Sequence, residues 1–247
     1  MCTLSIIAPA PRSFVLAFNR DEKPTRAETD PRVHTGRRTW IMPGDTQAGG
    51  SWIAVNDAGI ALAVLNRNDG PPPADAPADL GASRGTLVPA LAECGSLDEI
   101  RSGAERIAAG ISRAFRLIAT DGTRVLEVVG GDHRADCALE PLVRPFLRAS
   151  SGLGDALVRE PRGELFAAIV ARAPDEDLAA AQHHFHRHRW NDRRHLSVLM
   201  DREGARTVSI TTIIVDDARV QLVHARRGDG GGLPESLPEL RLELDRR

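Results

Sequence analysis

Apolar and polar positions alternate in short runs at both ends of the chain, and helical spacing prevails between them. Thr3–Ala8 and Ser13–Phe18 are β-type runs on either side of a Pro-rich turn at residues 9–12, a spacing that predicts a hairpin. Ser51–Val55 and Ile60–Leu65 flank Asn56-Asp57-Ala58-Gly59 and predict another strand pair. Gly70–Asp79, GPPPADAPAD, reads as a Pro/Ala/Asp loop. Ser83–Glu93, with Ser83 as cap, and Leu97–Ala109 repeat apolar residues at helical spacing. Ala114–Thr120 and Arg124–Val129 form a pair around the Asp121-Gly122 turn. A strand over Leu142–Ala149 and helices over Gly163–Ala171 and Glu176–His186 follow. The C-terminal part holds strand candidates His195–Met200, Arg206–Val215 and Arg219–His224, then GDGGGLPESLPEL, which reads as a flexible extension from about Gly228.

Strand pairs at both ends with helices between them argue against a doubly wound parallel sheet and for an α+β arrangement of two antiparallel sheets with outer helices. No second core, linker or internal repeat stands out, so residues 1–247 are read as one domain.

Composition changes this picture little. Hydrophobic residues make up 42% and charged residues 27%, enough for a real core. The net charge of −2 gives no reason to expect nucleic acid as partner. Lys23 is the only lysine and tyrosine is absent, a skew that reflects base composition more simply than function. Three cysteines, Cys2, Cys94 and Cys137, have neither an even count nor metal-type spacing, so a reducing compartment is the simpler reading. With no signal-peptide pattern and no run of ~20 apolar residues, a cytoplasmic protein without a membrane span is expected.

Candidate chemistry begins at Cys2. Removal of Met1 places a thiol and a free α-amine on one residue, with unperturbed pKa values near ~8.5 and ~8, so the amine can act as base for its own side chain. The hairpin brings Arg20 and Asp21, at the end of the second strand, beside this residue. An arginine there favours thiolate and a carboxylate can hold the ammonium. A solvated Asn-Arg-Asp-Glu turn is the plainer alternative.

The string FNRDEKPTR, with Cys2 before it and GGSWIAVNDAGIALAVLNRN after it, resembles the family named for its Asn-Arg-Asp-Glu motif, which includes the transport and Golgi organisation protein 2 of eukaryotes. The resemblance runs through most of the chain, strongest over Cys2–Arg84 and Arg206–Val215. It implies a branch of the N-terminal-nucleophile superfamily near the penicillin V acylases and bile-salt hydrolases, and a four-layer αββα sandwich. It also implies Cys2 as nucleophile, Arg20 and Asp21 around it, and Asn66 as an oxyanion donor. Arg206 is a weaker site candidate, from Arg206-Thr207-Val208-Ser209. In Gly49-Gly50-Ser51-Trp52 the glycines allow close backbone approach and Trp52 packs. Ser83-Arg84-Gly85 matches an Arg-Gly that starts a helix. One departure is Ser150-Ser151-Gly152-Leu153, where Ser151 stands at the family's oxyanion Asn. A hydroxyl is the shorter and freer donor, and loss of one good donor typically costs ~10²–10³ in rate.

His183, His184, His186 and His188 invite a metal or haem reading, with His184 and His188 on one helical face. No acidic or cysteine partner completes a site, and the arginines of residues 187–194 favour a solvated or interface-facing basic segment. Cys94 and Cys137 read as buried small hydrophobes, and Gly130-Gly131-Asp132 as turn chemistry. No metal or cofactor is expected. The function expected is a cysteine N-terminal-nucleophile hydrolase acting on a non-peptide amide or related acyl compound. The alternative is a non-catalytic protein that handles a hydrophobic ligand such as an acyl thioester or haem. The partner expected is a small acyl or amide molecule, and an edge strand or the histidine-rich helix could support a homodimer.

Overall fold

A computed structural model describes residues 2–10, 12–69, 83–143, 145–228 and 239–247. The Gly70–Asp79 loop and residues 229–238 of the expected extension lie outside them. The strands are β1 (Cys2–Ala10), β2 (Ser13–Glu22), β3 (Glu28–Thr35), β4 (Thr39–Asp45), β5 (Ile53–Asn56), β6 (Ala61–Asn66), β7 (Phe115–Thr120), β8 (Arg124–Gly131), β9 (Arg134–Pro141), β10 (Phe146–Ser150), β11 (Asp201–Arg202), β12 (Ala205–Val215), β13 (Arg219–Arg226) and β14 (Glu239–Asp245). The helices are α1 (Leu87–Leu91), α2 (Leu97–Ala108), α3 (Ala156–Ile169) and α4 (Leu178–Arg187). No helix among the described residues is long and apolar enough to cross a membrane.

Two antiparallel sheets result. One runs β10-β1-β2-β12-β13-β14 with β11 beside β12, and the other is the meander β3 through β9. Strand alternation builds the layers. Cys2, Leu4 and Ile6 of β1 and Phe14, Leu16 and Phe18 of β2 enter the core between the sheets, where they meet Ile53, Val55, Ala61 and Ala63 of the other sheet. Ile7 and its neighbours on the opposite face pack with Phe166 of α3 and Phe185 of α4. α1 and α2 cover the meander through Leu87, Leu91, Leu97 and Ile100. The chain is therefore an α+β protein, an αββα sandwich, as the resemblance implies.

Several expected elements differ. β3 and β4 lie where no strand is expected: β3 is polar, carries Pro31, and its pairing shifts between Thr29 and Arg32, as an edge strand tolerates. β9, at the opposite edge, is also unexpected. His195–Met200 is not a strand. Ser197 Oγ accepts from Trp190 N–H at 2.9 Å and Thr207 Oγ1 from Met200 N–H at 2.8 Å, so side chains replace ladder bonds there. The extension is corrected in part: β14 pairs with β13 and sets Leu242 and Leu244 against the inter-sheet core. Helix α3 begins well before Gly163 and runs through Pro161. Cys94 and Cys137 are half-buried rather than buried.

Candidate active site

β1 places Cys2 at the end of the first sheet, directly opposite Arg20 on β2 and Ser150 on β10. The Cys2 backbone N–H donates to Ser150 Oγ at 3.1 Å. A cavity of about 100 Å³ opens beside the residue, with Arg20, Asp21, Asn66, Trp52, Arg26 and Arg84 in its wall. Four of the six expected site residues, Cys2, Arg20, Asp21 and Asn66, thus meet at one cavity.

The other two do not line it. Ser151 is buried in a turn in which its N–H donates to Asp155 Oδ1 at 2.8 Å and its Oγ accepts from Leu153 N–H at 3.2 Å. Ser150, one residue earlier, is the last residue of β10 and faces Cys2. Arg206 stands opposite Glu22 and donates to the Gly228 carbonyl at 3.4 Å.

Arg20 is buried with two carboxylates: Glu28 Oε2 lies at 2.9 Å and Asp45 Oδ2 at 3.2 Å. Its guanidinium lies over the Trp52 ring, 4.3 Å from the centroid, so Trp52 both packs and supports a charge. Glu28 also accepts from Ser209 Oγ at 3.1 Å and His224 Nε2 at 3.2 Å. Burial alone would raise the Glu28 carboxyl, but the His224 bond and the Arg20 charge hold it below the usual range. Asp45 is also held low against its burial, by Arg26, the Ala48 N–H and Arg20.

Asp21 points to the other face of the sheet. Its Oδ1 accepts from Thr207 Oγ1 at 2.6 Å, and Arg162 Nη2 of α3 approaches Oδ2 to 3.9 Å. Burial pushes the Asp21 carboxyl up, opposed first by Arg162. Burial also pushes the Cys2 thiol up, opposed by the N-terminal ammonium, the Asp21 backbone N–H and, last, Arg20. The expectation that Arg20 favours thiolate is corrected to this extent: its bonds go to Glu28 and Asp45, and desolvation outweighs its field.

Ser150, Glu28, Asp45, Arg162 and Thr207 escape the reading of the sequence. Only Thr207 leaves a local trace, as a polar residue at an inward position of an apolar strand. A β-bulge at Val208 sets Thr207 opposite Asp21 and Ser209 opposite Arg20. Without it, Thr207 and Ser209 would share one face.

The histidine segment is corrected as well. His186 is fully buried: its Nδ1 donates to Asn19 Oδ1 at 2.6 Å and its Nε2 accepts from Ser5 Oγ at 2.7 Å. His183 and His184 are exposed. No cluster of metal-type ligands occurs among the described residues.

The same fold recurs in solved structures. A mutant of the conjugated bile acid hydrolase of Clostridium perfringens matches with a TM-score of 0.53 at 9% identity, over 99% of this chain and 92% of that one. The penicillin V acylase of Agrobacterium tumefaciens gives 0.53 at 13% identity, over 99% and 86%. An N-acylethanolamine-hydrolyzing acid amidase ortholog of Caenorhabditis elegans gives 0.53 at 10%, over 87% and 94%. At such identities the likeness establishes the fold, that of the N-terminal-nucleophile hydrolases. No curated protein matches the sequence. The sequence pattern of transport and Golgi organisation 2 matches residues 1–136, more than half of the 247. The chain belongs to the transport and Golgi organisation 2 family.

Proposed function

We propose that the protein is a cysteine N-terminal-nucleophile hydrolase that cleaves a linear, non-peptide amide or a related acyl bond. The observation that carries this reading is the position of Cys2, whose nitrogen sits against Ser150 while Arg20 and Asp21 stand on the neighbouring strand at the same cavity. Loss of Met1 converts that nitrogen to an α-amine. The amine takes the thiol proton as sulfur bonds to the carbonyl carbon. Asn66, in the cavity wall, stabilises the oxyanion. Collapse breaks the C–N bond, the proton passes to the leaving amine, and water hydrolyses the thioester with the α-amine again as base. The fold's occurrence in a hydrolase, an acylase and an amidase supports this chemistry.

One observation favours a second reading. Cys2 is 8% exposed and its thiol is pushed up by burial, which suits a pocket that holds an acyl ligand without attacking it.

Intact mass and peptide mapping after exposure to p-nitrophenyl acetate separate the two. Under the hydrolase reading the protein lacks Met1, carries one acetyl on Cys2 that clears with time, and loses the adduct in Cys2→Ser. Acetylation confined to Cys94 or Cys137, or full retention of Met1 in acetylated protein, defeats it.

A further inference from the structure

Arg162 is the bulkiest fully buried side chain among the described residues, and attack on a carbonyl does not by itself call for an arginine on α3. Burying a guanidinium costs several kcal/mol unless its charge and donors are matched. Here Nε donates to the Leu196 carbonyl at 3.0 Å, Nη2 to the Ser197 carbonyl at 2.7 Å and Nη1 to Thr3 Oγ1 at 2.5 Å. The carboxylate it faces is Asp21, at 3.9 Å. Thr207 Oγ1 accepts from Met200 N–H, so its own hydrogen is directed at Asp21 Oδ1. Asp21 is thus held from two sides, and Thr3, the residue after Cys2, is tied to the same guanidinium.

We infer that Arg162 is a positioning residue of the Cys2 centre: from behind the sheet its charge opposes protonation of Asp21 and its Nη1 fixes Thr3, so that Cys2 stands beside an oriented, charge-compensated carboxyl group on the neighbouring strand. This rests on the proposed hydrolase reading. The charged and titratable groups around the cluster are Cys2 on β1 and the chain-terminal ammonium that precedes it, Arg20 and Asp21 on β2, Arg202 on β11, Arg162 on α3 and His186 on α4. The Arg162 cation opposes proton uptake by amine, thiol and carboxylate alike. Its removal raises the proton affinity of the set, whichever member takes the proton.

The test is the pH dependence of Cys2 alkylation by iodoacetamide, read by peptide mapping, in wild type, Arg162→Lys and Arg162→Met. Arg162→Met should move the rising limb to higher pH by about one pH unit, a roughly tenfold slower reaction on that limb. Arg162→Lys, which keeps the charge, should retain the wild-type limb. A folded Arg162→Met protein with the wild-type profile overturns the inference. If Arg162→Met does not fold, the double variant Arg162→Met/Asp21→Asn decides. Recovery of folding shows that the uncompensated Asp21 charge was the defect and upholds the inference. Continued unfolding overturns it, because the defect then lies in the lost bonds to Thr3, Leu196 and Ser197 and not in the charge of Asp21. The p-nitrophenyl acetate experiment fails independently of these outcomes, so loss of the hydrolase reading is distinguishable from loss of this one.

Discussion

Arg20 and Asp21 are consecutive on β2 and face opposite sides of the sheet. Arg20 turns into the space between the sheets, to Glu28, Asp45 and Trp52, whereas Asp21 turns toward the helices, to Thr207 and Arg162. Alternation alone requires this of neighbours in a strand. The motif therefore flanks Cys2 from two layers: Arg20 shapes the cavity wall, and Asp21 stands on the opposite face of the sheet among groups from α3 and β12.

Glu28→Gln should be strongly destabilising. Glu28 is a hub on β3 that accepts from Arg20, Ser209 and His224, and both it and Arg20 are almost fully buried. Removal of one partner of a buried pair costs about 3–5 kcal/mol. Asp45 still neutralises Arg20, so the lower end is expected. Denaturant unfolding measures it, and a change below about 0.5 kcal/mol would mean that Asp45 suffices alone.

Gly50→Ala should damage the cavity rim. A Cβ at residue 50 would stand 2.5 Å from the backbone carbonyl carbon and oxygen of Gly85, while Ser51 N–H already donates to that oxygen at 3.0 Å. Backbone cannot yield as a side chain tip can, so a loss of about 1–3 kcal/mol is expected. Gly163→Ala, where a Cβ meets nothing within 4 Å, is the control. Equal melting temperatures for the two variants would contradict the close approach.

What the sequence reveals follows burial and motif density. β1, β2, β12 and β13 lie inside a sheet, so their apolar runs are clear, whereas β3 is an edge with mostly polar residues and β9 an edge without a single buried residue. Cys2, Arg20, Asp21 and Asn66 are legible because they sit in compact motifs near the N-terminus. Glu28 and Arg162 are single charged residues among other charged residues, and only the tertiary fold carries them to the site. Ser150 and Ser151 are adjacent, and only the register of β10 on β1 decides which of them faces Cys2.

That register gives a discriminating pair of variants. Ser150→Ala removes the oxygen that accepts from the Cys2 nitrogen, whereas Ser151→Ala removes an acceptor for Leu153 N–H. One hydrogen bond is worth about 0.5–1.5 kcal/mol, so Cys2 acetylation should slow roughly twofold to tenfold in Ser150→Ala. Ser151→Ala should lower stability but leave the rate near wild type. A larger rate loss in Ser151→Ala would return the oxyanion role to Ser151.

His186 makes stability depend on pH. Asn19 Nδ2 donates to the His186 and Val198 carbonyls, which leaves Asn19 Oδ1 to accept from His186 Nδ1. Nε2 must then accept from Ser5 Oγ, whose oxygen in turn accepts from Gln182 Nε2 at 2.8 Å. Every position around the ring suits the neutral imidazole and none suits a second N–H. Burial first, then the charges of Arg187, Arg162 and His183, push its pKa down to about 3 from an ordinary 6.5. Because the folded value lies below the unfolded one, the unfolded chain binds the extra proton first. The stabilisation is complete above about pH 6.5 and is lost as pH falls toward 3, at about 1.4 kcal/mol per pH unit once the unfolded imidazole is protonated. At pH 5 the loss attributable to this residue is about 2 kcal/mol. Urea unfolding at pH 7 and pH 5 should show that difference in wild type and a smaller one in His186→Gln, which is less stable at both. An equal pH dependence in the two proteins would mean that His186 takes up its proton in the folded state, and that the Ser5–His186–Asn19 chain is not held in the neutral form.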